Sequence, residues 1–328
     1  MIDRRRVLLA GGAALAGFGL GVPAHAAVGT LRVASLKFGS LSWVLETIRA
    51  EGLAEKVGLK LDVLEVATNQ AGPVALLSGE ADVIVSDWPW ALRQRGLGEQ
   101  LKFAPYSSAL GAVMVPKDSK IAQLANLEGK KLGVAGGAID KSWLLLRAYS
   151  RNTLGKDIGD MAEPVFGAAP LLTEELRSGR IDAVLNFWTY AARLSGAGFR
   201  ELIGMDEVLK ALGIDPVPSL VGFIWREKTE EEKGPAIAAF LDVVANANAI
   251  LAQSDSAWER IRGLVKPNDD AELAAIKAFY RAGIPAPWNA ADTAAAQKLT
   301  QVLKDAGAGQ FIGDGTQFDP KLFHAAGS

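Results

Sequence analysis

The sequence predicts an α/β protein of two similar lobes, with a C-terminal helical tail packed on the first lobe. Three observations predict it. Residues 76–96 (LLSGEADVIVSDWPWALRQRG) and 176–196 (LRSGRIDAVLNFWTYAARLSG) align at an offset of 100, matching Ser78-Gly79, Asp82, Trp88, Arg93 and Gly96 with Ser178-Gly179, Asp182, Trp188, Arg193 and Gly196. The same offset pairs Ser42-Trp43 with Ser142-Trp143. Short apolar runs alternate with helical stretches as far as Trp225, and beyond Glu227 the pattern is helical only. A period of 100 residues is too long for a solenoid repeat of roughly 20–50 and has the size of a small domain.

The elements follow in order. Thr30–Ser35 reads as a strand, and Leu41–Ala50 as a helix with Ser40 as its N-cap and Leu41, Val44, Leu45 and Ile48 on one face. Leu59–Val66 is the next strand, and a helix begins near Pro73 after the Thr68–Gly72 loop. Gly79 suits a helix end in the left-handed conformation. Ala81–Val85 is an apolar run typical of a strand buried on both faces, and Pro89 suits the first turn of the helix that follows. Short strands are expected at 102–104 and 111–115. The second lobe repeats the plan: strand 131–135, helix 142–153, strand 163–166, a helix starting at Pro170, and strand 181–185. Pro216-Val217-Pro218 breaks the chain, and Leu220–Trp225 is a strand leading back toward the first lobe. Helices are expected at 228–253, 255–264, 269–282 and 290–306.

Composition narrows the function. The chain has 328 residues, 49% hydrophobic and 22% charged, with no cysteine. That is ordinary globular composition and rules out disulfides and thiolate metal sites. Arg4-Arg5-Arg6, an apolar run over Val7–Val22 and Ala24-His25-Ala26 form an export signal of twin-arginine type over residues 1–26. Cleavage after Ala26 would leave a soluble periplasmic protein with 32 basic and 36 acidic residues, net charge −4. Such a surface has no electrostatic case for nucleic acid. The only histidines are His25 and His324, so the commonest general base is missing from both lobes and an enzyme is not expected.

Aromatic loops at strand ends carry the binding chemistry. Both repeated units place them past the carboxyl end of a strand, where ligands bind in open α/β sheets. The candidate ligand-binding residues are Lys37, Phe38, Ser40, Trp43, Asn69, Gln70, Ser86, Asp87, Trp88 and Trp90 in the first lobe. In the second they are Gly137, Asp140, Lys141, Trp143, Asn186, Phe187, Trp188 and Tyr190. Asp87 and Asp140, one from each lobe, could meet across the cleft around a cationic group or a hard metal ion, or each could cap a helix. Lys37, Lys141 and the nearby helix N-termini suit an anion instead, so the sign of the ligand stays open. No cofactor is expected.

These features together resemble the periplasmic substrate-binding proteins of ABC importers, and within them the sulfonate/nitrate/taurine and thiamine-precursor group. The resemblance rests on Val33–Trp43, Ala71-Gly72-Pro73, Ser78–Asp82, Ser86-Asp87, Val115–Ser119, Leu127–Lys131 and Ser178–Ala183. It implies a periplasmic binding protein of type II, its lobes joined by two crossovers near 107–113 and 215–221. The lobes are then 27–110 with 219–328, and 111–218. It also implies a small-molecule ligand between the lobes, a monomer, and delivery to a permease and its ATPase in the inner membrane. Trp88-Pro89-Trp90 and Phe187-Trp188-Thr189-Tyr190 depart from the smaller or polar residues usual in sulfonate binders. Those loops are similar to relatives that accompany quinoprotein alcohol oxidation in methylotrophs, which implies a metal-binding or lanthanide/quinone-linked role as the alternative.

Overall fold

The apolar runs form the middle strands of two sheets. The computed structural model describes residues 28–37, 39–305, 312–313 and 315–324; the export signal read at 1–26 and Phe38 lie outside the described residues. The strands are β1 (Gly29–Leu36), β2 (Leu59–Val66), β3 (Val83–Asp87), β4 (Leu101–Ser107), β5 (Ala112–Val115), β6 (Lys131–Ala135), β7 (Glu163–Gly167), β8 (Ala183–Asn186), β9 (Arg200–Gly204) and β10 (Val221–Arg226). The helices are α1 (Leu41–Ala50), α2 (Leu53–Lys56), α3 (Ala71–Ser78), α4 (Trp88–Gly96), α5 (Lys141–Leu154), α6 (Ile158–Met161), α7 (Ala169–Arg177), α8 (Trp188–Gly196) and α9 (Met205–Ala211), then α10 (Glu227–Gln253), α11 (Asp255–Val265), α12 (Asp270–Ala282) and α13 (Ala290–Asp305).

The first sheet has the order β2-β1-β3-β10-β4 and the second β7-β6-β8-β5-β9. In each, one strand runs antiparallel to its two neighbours: β10 in the first, β5 in the second. Each of these strands follows directly from the other lobe, so the chain crosses between Ser107 and Ala112 and again between Gly204 and Val221. The internal repeat is visible as α4 and α8, whose bounds differ by the same 100 residues.

The repeated Asp82 and Asp182 do equivalent work. The Asp82 carboxylate accepts the backbone N–H of Arg32 at 2.8 Å, and that of Asp182 accepts the N–H of Lys131 at 2.9 Å. Each pins the start of β3 or β8 to the neighbouring strand, rather than capping a turn within its own segment. Gly79 and Gly179 take φ of 80° and 71°, the left-handed helix ends that only glycine adopts at no steric cost.

The helical tail begins on the first lobe: α10 and α11 pack on α1, and α10 also on β1. It then reaches further, with α12 lying on α8 and α13 on α5 of the second lobe. Gly196 allows the first of these contacts, because a Cβ there would stand 2.5 Å from Cα of Glu272. Arg193 of α8 completes it, donating to the buried Glu272 carboxylate and to the Val265 carbonyl at 2.5 Å. Helix α10 has the length and composition of a membrane span. Its buried face (Ala236, Ile237, Phe240, Val243, Val244, Ala247, Leu251) follows helical spacing into the core of the first lobe, as a core helix does.

Candidate functional site

The carboxyl ends of both sheets face a cavity of about 740 Å³ between the lobes. The first lobe supplies Gly39 and Ser40 before α1, and Ala67 to Gln70 before α3. The second supplies Gly136 and Gly137 after β6, Gly167 to Pro170 at the start of α7, and Phe187 to Tyr190 at the start of α8. A smaller recess of about 130 Å³ continues inward past Ser40, Asn69 and Trp188 to Tyr106.

The wall is built from helix beginnings. The N-cap residues of α1 (Ser40) and α3 (Gln70) and the first turns of α7 and α8 line it, and none of these helices has a side-chain cap. Ser40 stands at the N-cap position of α1, but its hydroxyl is spent elsewhere, on Oη of Tyr106 at 2.9 Å. Burial raises the Tyr106 phenol well above its ordinary pKa, so it stays neutral. The neighbouring helices α4 and α5, which begin beside the wall, are capped instead. Asp87 accepts from the Trp90 N–H at 3.0 Å and Asp140 from the Ser142 N–H at 2.8 Å. In α1 the Ser42 and Trp43 N–H groups already donate to the Gly39 and Ser40 carbonyls, so what these four ends share is the positive end of the helix dipole, a setting that favours an anion.

Asp87 and Asp140 do approach each other across the lobes, and the cation at that place is Lys141, with Nζ 3.6 Å from Asp87 Oδ2. Of the two readings offered for this pair, the caps are formed, and Lys141 supplies a cation beside Asp87. Among the described residues no group of three or more His, Asp or Glu could hold a metal ion. Burial works against the Lys141 ammonium, but Asp87 and Asp140 outweigh it and raise its pKa. Burial likewise raises the Asp140 carboxyl, against the pull of Lys141 and the backbone N–H groups of α5.

Of the expected residues, Ser40, Asn69, Gln70, Gly137, Phe187, Trp188 and Tyr190 line the cavity. Others stand elsewhere. Trp88 is fully buried in the first lobe, edge-on to Phe323, with ring centroids 5.8 Å apart. Trp90 is half-buried against the same core. Trp43 is buried with Trp258 and Tyr280, and meets Trp188 of the other lobe at 6.1 Å. Trp143 is buried against Phe166. A tryptophan in a first helical turn points back over the sheet, so these indoles serve the core unless the sheet edge there is open. Asn186 is buried and structural: its amide nitrogen donates to the Ala169 carbonyl and Thr173 Oγ1, and its oxygen accepts the Phe187 N–H, holding α7 beside α8. Ser86 lies within β3, opposite Gly222. Lys37 is exposed and lines a separate groove beside α1 and β2.

Sequence reasoning missed Thr68, Phe166 and Gly167 to Pro170 on the wall. A signal was available. Pro170 opens α7 much as Pro73 lies in the first turn of α3, so the loop before α7 mirrors the Asn69-Gln70 loop.

Two sheets with these strand orders, flanked by helices and joined by two crossovers around a cavity, make the fold of the type II periplasmic binding proteins. The chain belongs to the NMT1/THI5-like family, whose profile matches residues 49–256. The fold is similar to the periplasmic aliphatic sulphonate binding protein SsuA from Escherichia coli, with a TM-score of 0.70 at 19% identity over 90% of this chain and 92% of that one. It is also similar to the desulfurization enzyme DSZB, with a TM-score of 0.58 at 16% identity over 85% and 92% of the two chains. In sequence the chain is 24% identical to a Haemophilus influenzae protein named "Putative thiamine biosynthesis protein" over 222 residues, 67% of this chain and 68% of that protein.

Proposed function

We propose that the protein is a periplasmic solute-binding component of an ABC importer. In this reading it captures a small anionic molecule with an apolar or aromatic body between its lobes and delivers it to a membrane permease and its ATPase. One observation carries the reading: the N-terminal ends of α1, α3, α7 and α8, none with a side-chain cap and drawn from both lobes, meet around one cavity of about 740 Å³. That volume lies within the roughly 300–1,000 Å³ typical of small-molecule sites. The positive ends of the four helix dipoles suit a sulfonate, carboxylate or phosphate. Phe187, Trp188 and Tyr190 supply a flat apolar wall for the rest of the ligand.

The sulphonate binder and the Haemophilus influenzae relative named for thiamine biosynthesis point toward organic sulfonates and anionic relatives of thiamine precursors as the candidates. Within the reading, residues 1–26 direct export and are removed, the lobes comprise 27–110 with 219–328 and 111–218, and the mature protein acts as a monomer.

Isothermal titration with aliphatic sulfonates, aromatic sulfonates and pyrimidine phosphates tests the binding. Saturable binding that disappears in Ala168→Trp, a change at the exposed start of α7 on the cavity wall, supports the reading. Turnover of the bound compound would replace it with an enzymatic one. N-terminal sequencing of the periplasmic protein, expected to begin at Ala27, tests the export step.

A further inference from the structure

A second cavity, of about 570 Å³, lies away from the cleft. It is bounded by the outer side of α10, the edge strand β4 and the 284–288 segment that links α12 to α13. Helix α10 lines it with the exposed Ala238, Ala245 and Ala249, which share one helical stripe. Across from them stand Pro105, Ile284 and Trp288, the last held rigid by parallel stacking on Phe323 at 4.4 Å.

The alanines make room, and Asn248 makes the room a site. Asn248 is 7% exposed and lines the cavity. Its Oδ1 accepts from Oη of Tyr280 at 2.6 Å. Burial holds the Tyr280 phenol well above its ordinary pKa, so that hydroxyl keeps its proton and donates it. In this arrangement the amide oxygen faces Tyr280 and the amide nitrogen is the group left for another partner. Its Nδ2 points away from Tyr280 and donates to no described residue. Among the described residues the buried side-chain atoms without a partner are Ser35 Oγ, Trp88 Nε1 and Arg226 Nε; Asn248 Nδ2 is instead open to the cavity, where a ligand's acceptor can take the place of water. The exposed carboxylate of Asp242 on the same wall disfavours an anion.

We propose that this cavity is a second ligand site, for a small and largely apolar neutral molecule whose carbonyl oxygen accepts a hydrogen bond from Asn248 Nδ2. The site is independent of the cleft and of the ligand proposed for it.

Acetophenone and isopropylbenzene, which share a size and an aromatic body but differ in the carbonyl, are the probes. Each is titrated into the uniformly ¹⁵N-labelled protein. Acetophenone is expected to move the Asn248 side-chain amide and the Trp288 indole N–H saturably, and to bind about tenfold more tightly than isopropylbenzene, the worth of one neutral hydrogen bond. Asn248→Leu should bring the two probes to equal affinity. Ala249→Trp, a change at an exposed position, should abolish both sets of shifts. The proposal is overturned by equal affinity of the two probes for the unaltered protein, by no saturable shift at Asn248 and Trp288, or by binding that survives Ala249→Trp. If Asn248→Leu fails to fold for want of an acceptor for Tyr280, the probe pair and Ala249→Trp decide the question alone.

Discussion

The ammonium of Lys141, in the first turn of α5, stands 3.6 Å from Oδ2 of Asp87 at the end of β3, and so ties the two lobes together beside the cleft. Both side chains are largely shielded, 19% and 17% exposed. Asp87 also caps α4. Asp87→Asn keeps a capable cap while removing the charge. A double-mutant cycle of Asp87→Asn with Lys141→Met, followed by urea unfolding, should show coupling of about 1 kcal/mol, the upper end for ion pairs that retain some solvent. Strict additivity of the two substitutions would contradict the pairing.

Trp88 and Trp188 occupy the same place in the repeat and should behave oppositely. Trp88→Ala removes a fully buried indole and should cost about 3–5 kcal/mol of stability. Trp88→Phe should cost much less, because the buried indole N–H has no hydrogen-bond partner to lose. Trp188→Ala should weaken cleft binding with a smaller loss of stability, since Trp188 is only half-buried. Melting curves and titrations on the three variants separate these outcomes.

Acid should find Asp82. Its burial pushes the carboxyl pKa up, but hydrogen bonds from Arg32 and Lys233 more than reverse this and bring it to about 2. A depressed carboxyl stabilises the fold above the unfolded pKa near 4, and that contribution is lost as pH falls toward 2. The loss should amount to about 2 kcal/mol between those limits, on the scale of 1.36 kcal/mol per pKa unit. Denaturation curves across this range should therefore fall more steeply for the unaltered protein than for Asp82→Asn. Parallel curves would assign the acid sensitivity to other groups.

Two glycines predict opposite signs. Gly196→Ala drives a Cβ to 2.5 Å from the Glu272 backbone and should destabilise by about 1–3 kcal/mol, the usual range for overpacking. Gly263, inside α11, has nothing within 4 Å of its would-be Cβ. Gly263→Ala should therefore stabilise by about 0.5–1 kcal/mol through helix propensity. Chemical denaturation of both variants checks the pair.

Most of the fold was legible because its signals are local. Apolar runs, glycine helix ends and the 100-residue repeat mark elements whose ends agree with the structure within a few residues. Residues 197–215 carry no strong local signal, yet they hold β9 and α9. Strand β9 (RELIG) sits at a sheet edge, carries two charges, and lacks the continuous apolar run of a central strand. The site was legible only in part. The sequence places Trp88 and Trp188 alike, yet Phe323, far along the chain, covers the first, while the cavity leaves the second half-exposed. Lys141 was readable as a charge near the cleft. That Asp87 would meet it depends on how two lobes dock, which no local pattern records.

The most direct test of the cleft is native mass spectrometry. Ligand-free protein would be incubated with the small-molecule fraction of a periplasmic extract, and its mass compared before and after denaturation, beside Ala168→Trp. The account predicts an added mass of one small organic molecule that vanishes on denaturation and is missing from the variant. No added mass on the unaltered protein, or the same added mass on both, would contradict it.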